Sequence, residues 1–103
     1  MNAQLKNLFT NRAKIAKALA HPTRLFIANH LSKRECCVCD LTQMIGSDIS
    51  TVSKHLAILK EAGIVEDEKQ GLQVCYRIRM TCIKDFLACI DRVLSKNKKS
   101  GRP

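Results

Sequence analysis

A chain of 103 residues has room for one domain with one core, and an apolar share of 46% with no run of about 18 apolar residues excludes compositional disorder and a membrane span. Eighteen Lys and Arg against nine Asp and Glu give a formal charge of +9 and a pI near 9.6, a balance that favours polyanionic partners. Charges scattered through the N-terminus leave no apolar stretch for an export signal, so the expected location is the cytoplasm, where the six cysteines stay reduced.

The elements follow in chain order. Leu5, Leu8, Phe9, Ile15, Ala16 and Leu19 recur at helical spacing and predict a first amphipathic helix, broken at His21-Pro22. Proline suits the first position of the next helix, which carries Leu25, Phe26, Ile27 and Leu31 to about Ser32. The stretch from Lys33 to Val38 reads as a loop or a very short strand. Asp40 is placed to cap a short helix through Ile45, and Gly46 stops it. A longer helix from about Ser50 to Ala62 follows, with Ile49, Val52, Leu56 and Leu59 as its buried stripe. Ile64 to Lys69 and Leu72 to Met80 predict a hairpin turning at Gln70-Gly71, with Leu72, Val74, Tyr76 and Ile78 inward and Gln73, Cys75, Arg77 and Arg79 outward. The last helix, from Thr81 to about Ser95, is apolar on too much of its circumference for one buried face, which asks for a partner subunit. Residues 1–95 thus form the domain, and residues 96–103 are expected as a basic, disordered tail.

A short helix, a turn with glycine and a second helix exposing hydroxyls, a lysine and a histidine make a helix-turn-helix, whose second helix reads the major groove. Ser50, Thr51, Ser53, Lys54 and His55 lie on its outward sides, although a half-buried packing role is the alternative for His55. The hairpin that follows is a wing. His21 and His30 have no partner at ligand spacing and are expected to be structural.

Cys36, Cys37 and Cys39 place three thiols just ahead of a helix N-terminus, where the dipole, Lys33 and Arg34 favour thiolate, the species that binds soft ions. On a helix Cys36 and Cys39 share a face while Cys37 and Cys39 do not, so chelation by the latter pair requires non-helical backbone and strains the start of the helix-turn-helix. Cys82 and Cys89, about 10.5 Å apart along one helix, are too far apart for a common ion and are expected in the dimer seam.

The segments KALAHPTRLFIANHL, ECCVCDL, STVSKHLAILKEAGIV and KQGLQVCYRIR resemble, in unbroken order over about residues 12 to 80, the ArsR/SmtB family of metal-responsive repressors. The resemblance implies a mainly helical winged helix-turn-helix of four helices, a β-hairpin and a final helix, dimerised through its first and last helices, and no enzymatic activity. It places Ser50, Ser53 and Lys54 on bases and phosphates of an inverted-repeat operator, with Thr51 and His55 beside them, and Lys69, Gln70 and Gly71 at the wing tip against the adjacent groove or backbone. It also makes Cys37 and Cys39 ligands for arsenite or antimonite, or for cadmium or lead as in relatives. Where arsenic sensors commonly carry a third cysteine this chain has Thr42, so Cys36 is the nearest candidate for the third sulfur, with a more distant thiol or a different inducer as alternatives. Zinc sensing through the last helix is disfavoured, because Asp85 and Asp91 lack a histidine companion there.

Two rivals remain in the sequence. A sensor of reactive sulfur or oxidants would use a disulfide instead of an ion. A thioredoxin-like oxidoreductase would use the C-x-x-C of Cys36 and Cys39, but no strand of four to eight residues precedes it and no proline is placed to face it.

Overall fold

The computed structural model describes residues 1–99, which form α1 (Ala3–Leu19), α2 (Pro22–Leu31), β1 (Cys36–Cys37), α3 (Val38–Ile45), α4 (Ile49–Glu61), β2 (Val65–Gln70), β3 (Gln73–Ile78) and α5 (Ile83–Lys99). Three helices start on side-chain caps. Asn2 accepts from the Leu5 N–H at 2.8 Å, His21 Nδ1 from the Thr23 N–H at 3.1 Å, and Asp48 from the Thr51 N–H at 2.8 Å. Each satisfies a donor that the helix start leaves without a partner, which stabilises by about 1 kcal/mol. Asp40, expected to cap α3, lies instead in its first turn, and Cys37 occupies the cap position without a side-chain bond to the helix backbone. Strand pairing decides this: β1 holds the backbone extended through Cys37, so the helix begins at Val38.

α3 ends at Gly46, whose φ of +79° is the left-handed conformation that glycine adopts without a Cβ penalty. The chain then turns into α4, giving the helix-turn-helix. Val52, Leu56 and Leu59 of α4 are fully buried with Ile27 of α2, Leu41 of α3 and Ile83 of α5, and each such side chain contributes about 1.5–3 kcal/mol through burial. Ile49, expected in this stripe, is 57% exposed because it is the first helical residue and projects beyond the core.

The sheet is antiparallel with strand order β1-β3-β2, so the wing hairpin has a third strand along its inner edge. Its tip is one residue later than expected: Gln70 pairs with Gln73, and Gly71-Leu72 make the turn with Gly71 at φ +65°. Positive φ at the first central residue is the requirement of a type II′ hairpin turn. The expected in-and-out alternation of β3 fails at two places. Leu72 stands fully in solvent at the tip, and Cys75, expected outward, is buried because β1 covers that side of the strand.

The two ends of the chain are covered least. α1 buries only Ala18 and Leu19 and leaves Leu5, Leu8, Phe9 and Ile15 exposed, while α5 exposes Phe86, Val93 and Leu94. α5 also continues past Ser95 to Lys99, so residues 96–99 of the expected tail are helical; the remainder of that segment, residues 100–103, lies outside the described residues. Among the described residues, no helix is long and apolar enough to cross a membrane.

Candidate nucleic-acid interface and thiol cluster

Asp48 organises the start of α4. Its carboxylate accepts from the Thr51 N–H and, at 3.1 Å, from the Ser50 hydroxyl, and these bonds, followed by the charge of Lys54, hold its pKa below the usual carboxylate range. Ser50, Thr51, Ser53 and Lys54 are all exposed on this end of the helix, the groups that the sequence places on DNA. His55 is not among them. It is half-buried, with its ring 4.4 Å from that of His21 and its Nδ1 3.2 Å from Arg24 Nη1. Burial first, then the neighbouring His21 and Arg24, push its pKa down, which favours a neutral imidazole able to accept from the guanidinium. The same guanidinium donates through Nε to the Ala18 carbonyl at 2.6 Å, so Arg24 ties α1, α2 and α4 together.

Lys69, Gln70 and Gly71 are exposed at the end of the wing, Lys69 and Gln70 as the last residues of β2 and Gly71 in the turn with Leu72. Gln70 is also held from below, where its Nε2 donates to Glu35 Oε1 at 2.7 Å. Along the flanks of the wing, Arg77 binds Glu66 at 2.7 Å and Glu68 at 2.9 Å, and Lys60 binds Asp67 at 3.0 Å.

Cys37, Cys39 and Asp40 bring one sulfur or carboxylate oxygen each within 4.8 Å of one another. The extended backbone at Cys37 makes this approach, supplying the non-helical geometry that chelation by Cys37 and Cys39 requires. Cys36 is not in the group. Successive side chains of a strand point to opposite faces, and Cys36 is buried as a member of the hydrophobic core that includes Leu31 and Leu41, reaching the cleft of Cys37 and Cys75 only at its rim. Thr42, at the position of the missing cysteine, donates its hydroxyl to the Val38 carbonyl at 2.7 Å along the helix. Thiolate is the form the sequence leads one to expect of these cysteines, and two of them depart from it. Burial raises the pKa of Cys36, with Asp40 adding to it, and contact with Cys75 raises that of Cys37.

Two clefts meet at Cys37. One, of about 480 Å³, is lined by Cys37, Asp40, Gln70 and Cys75 among others; the second, of about 320 Å³, is lined by Cys37, Cys39, Ile49, Ser53 and Leu72 among others. The thiol cluster therefore borders the recognition helix and the wing together. Ile49 and Leu72 enter this wall only because both are exposed, a placement that helical and strand periodicity gave no reason to expect.

Comparison with known proteins gives the same architecture. The profile of the family described as "Bacterial regulatory protein, arsR family" matches residues 21–67. Over 76 residues, 73% of this chain and 63% of the relative, the sequence is 45% identical to a cadmium resistance transcriptional regulatory protein homolog of Staphylococcus aureus. Over 66 residues, 63% of this chain and 56% of the relative, it is 44% identical to the arsenical resistance operon repressor of Escherichia coli. The chain thus spans less than two thirds of either relative. The solution structure of a homodimeric winged helix-turn-helix DNA-binding domain from Mycobacterium bovis superposes with a TM-score of 0.79 at 26% identity, covering 99% of this chain and 94% of that one. With its recognition helix, wing and thiol cluster built on that frame, the chain belongs to the arsR family of bacterial regulatory proteins, which are DNA-binding transcriptional regulators and not enzymes.

Proposed function

We propose that the chain is a homodimeric repressor that binds an inverted-repeat operator and releases it when Cys37 and Cys39 capture arsenite or antimonite. The observation that carries this reading is the approach of Cys37, Cys39 and Asp40 at the N-terminus of α3, with Cys37 and Cys39 lining a cleft that Ser53 of α4 also lines. Soft thiolates select a thiophilic ion, and Asp40 supplies a harder oxygen that suits cadmium or lead better than arsenic. Ser50, Thr51, Ser53 and Lys54 engage the major groove, the wing tip at Lys69, Gln70 and Gly71 engages the flanking backbone, and His55 supports the helix from behind. The uncovered apolar faces of α1 and α5 supply the seam between subunits, in keeping with the homodimeric relative.

An ion acts only through a difference in affinity between the two states; moving the repressor from about 99% competent to about 99% released requires about 10⁴-fold tighter binding to the released form. The test is operator affinity at fixed salt with and without arsenite, antimonite, cadmium and lead. Cys37→Ser and Cys39→Ser are expected to bind operator as the wild type does and to stay bound when arsenite is added. Release of the double variant by arsenite, or failure of every ion to release the wild type, overturns the reading.

A further inference from the structure

Cys75 is the thiol that the alternation of β3 would place in solvent, and the structure buries it to 6% exposure. The cause is the register of β1, which sets Cys37 directly opposite Cys75 and brings their sulfurs to 3.4 Å. No other cysteine of the described chain is joined to the cluster in this way: Cys36 faces the core and Thr42 offers no sulfur. Cys37 is therefore a shared vertex, reaching Cys39 on the first turn of α3 through one cleft and Cys75 on the wing strand through the other. Trivalent arsenic forms a pyramidal centre that takes three sulfurs, and Cys37 stands between the two others, close to Cys39 on one side and to Cys75 on the other, while Cys39 and Cys75 are not yet within 4.8 Å of each other.

The same two thiols hold the wing tip. The Cys37 thiol donates to Gln73 Oε1 at 3.0 Å, and the single proton of the Cys75 thiol is shared between Cys37 Sγ at 3.4 Å and Gln70 Oε1 at 3.6 Å, so both glutamines of the pair that closes the turn lie against sulfur-bound protons.

We propose that Cys75 is the third ligand of the inducer site, so that arsenite is held by Cys37, Cys39 and Cys75 and its capture unties Gln70 and Gln73 at the wing tip. This rests on the metalloid reading above and names the ligand set that reading leaves incomplete. The step balances without a redox partner. Trihydroxyarsenic exchanges its three As–O bonds for three As–S bonds, and the three thiol protons leave with the hydroxyls as water. Ligation removes the protons that Gln70 and Gln73 accept, and drawing Cys39 toward Cys75 pulls the first turn of α3 toward the wing. The wing tip and the first helix of the helix-turn-helix are thereby displaced by one event.

The test uses the full chain under reducing conditions, with arsenite as the probe. In a Cys36→Ala/Cys82→Ser/Cys89→Ser variant the remaining cysteines are Cys37, Cys39 and Cys75, and none of the proposed ligands is altered. X-ray absorption is expected to count three sulfurs around arsenic in this variant and in the wild type, with equal affinity. Adding Cys75→Ser is expected to lower the count to two sulfurs and the affinity by at least about tenfold. Two sulfurs in the variant that retains Cys75, three in the one that lacks it, or no arsenite uptake by the wild type overturns the assignment. Operator release is read separately by fluorescence anisotropy: three-sulfur binding without release leaves the ligand assignment standing and removes the inducer reading.

Discussion

His55 carries the clearest pH dependence that a single residue imposes here. Its pKa lies below the ordinary histidine value through burial, His21 and Arg24, so the native state favours the neutral ring more than the unfolded chain does. The stabilisation is complete above the unfolded pKa of about 6.5 and is lost as the pH falls toward the lower native value. The melting temperature of the wild type is expected to fall between about pH 7 and pH 5, and that of His55→Gln to fall less over the same range. Parallel curves for the two proteins would remove this role. The alternative of a packing histidine was visible in the sequence from its neighbour Leu56, but the pairing with His21 and Arg24 was not, because it joins residues on separate helices.

At the scale of elements, the strongest signals in the sequence were the ones that physical periodicity creates over many residues. α1, α2, α4 and the wing repeat their apolar positions often enough to be read directly. β1 has two residues and therefore no period, yet it decides three things that sequence patterns misplace: the start of α3, the burial of Cys75 and the inward turn of Cys36. Cys37 and Cys39 were legible as a pair because their chemistry is local, whereas the approach of Cys37 to Cys75 exists only after the sheet has formed. The recognition helix and wing also permit an electrostatic test. Lys54→Ala with Lys69→Ala is expected to weaken operator binding and flatten its dependence on salt, by about 0.9 in the log-log slope for each phosphate that is no longer neutralised. An unchanged slope would place neither lysine on the DNA backbone.

The whole molecule leaves its apolar surplus on α1 and α5. Phe9 at 47% and Val93 at 55% exposure are expected to lie in the seam, since contiguous apolar faces of this kind mark association surfaces. Phe9→Asp with Val93→Asp is expected to give a monomer by sedimentation and to lose affinity for the inverted repeat while retaining helical circular dichroism. A dimer that survives both charges would place the seam elsewhere.

The charge of +9 also conceals a local sign reversal. Strand β2 carries Glu66, Asp67 and Glu68 in succession beside the tip that is to meet phosphate, and Arg77 alone covers two of the three carboxylates. The side chains of Arg77, Glu66 and Glu68 are all partly exposed, so their ion pairs add little to stability, about 0–1 kcal/mol. Arg77→Ala is therefore expected to leave the melting temperature nearly unchanged and to weaken operator binding, with Glu66→Gln and Glu68→Gln in the same chain restoring it. Failure of that restoration would mean that Arg77 itself touches the DNA. Otherwise Arg77 serves as a counter-ion: it eases the approach of a strand built with acidic residues to a polyanion by offsetting one of the two carboxylate charges it binds.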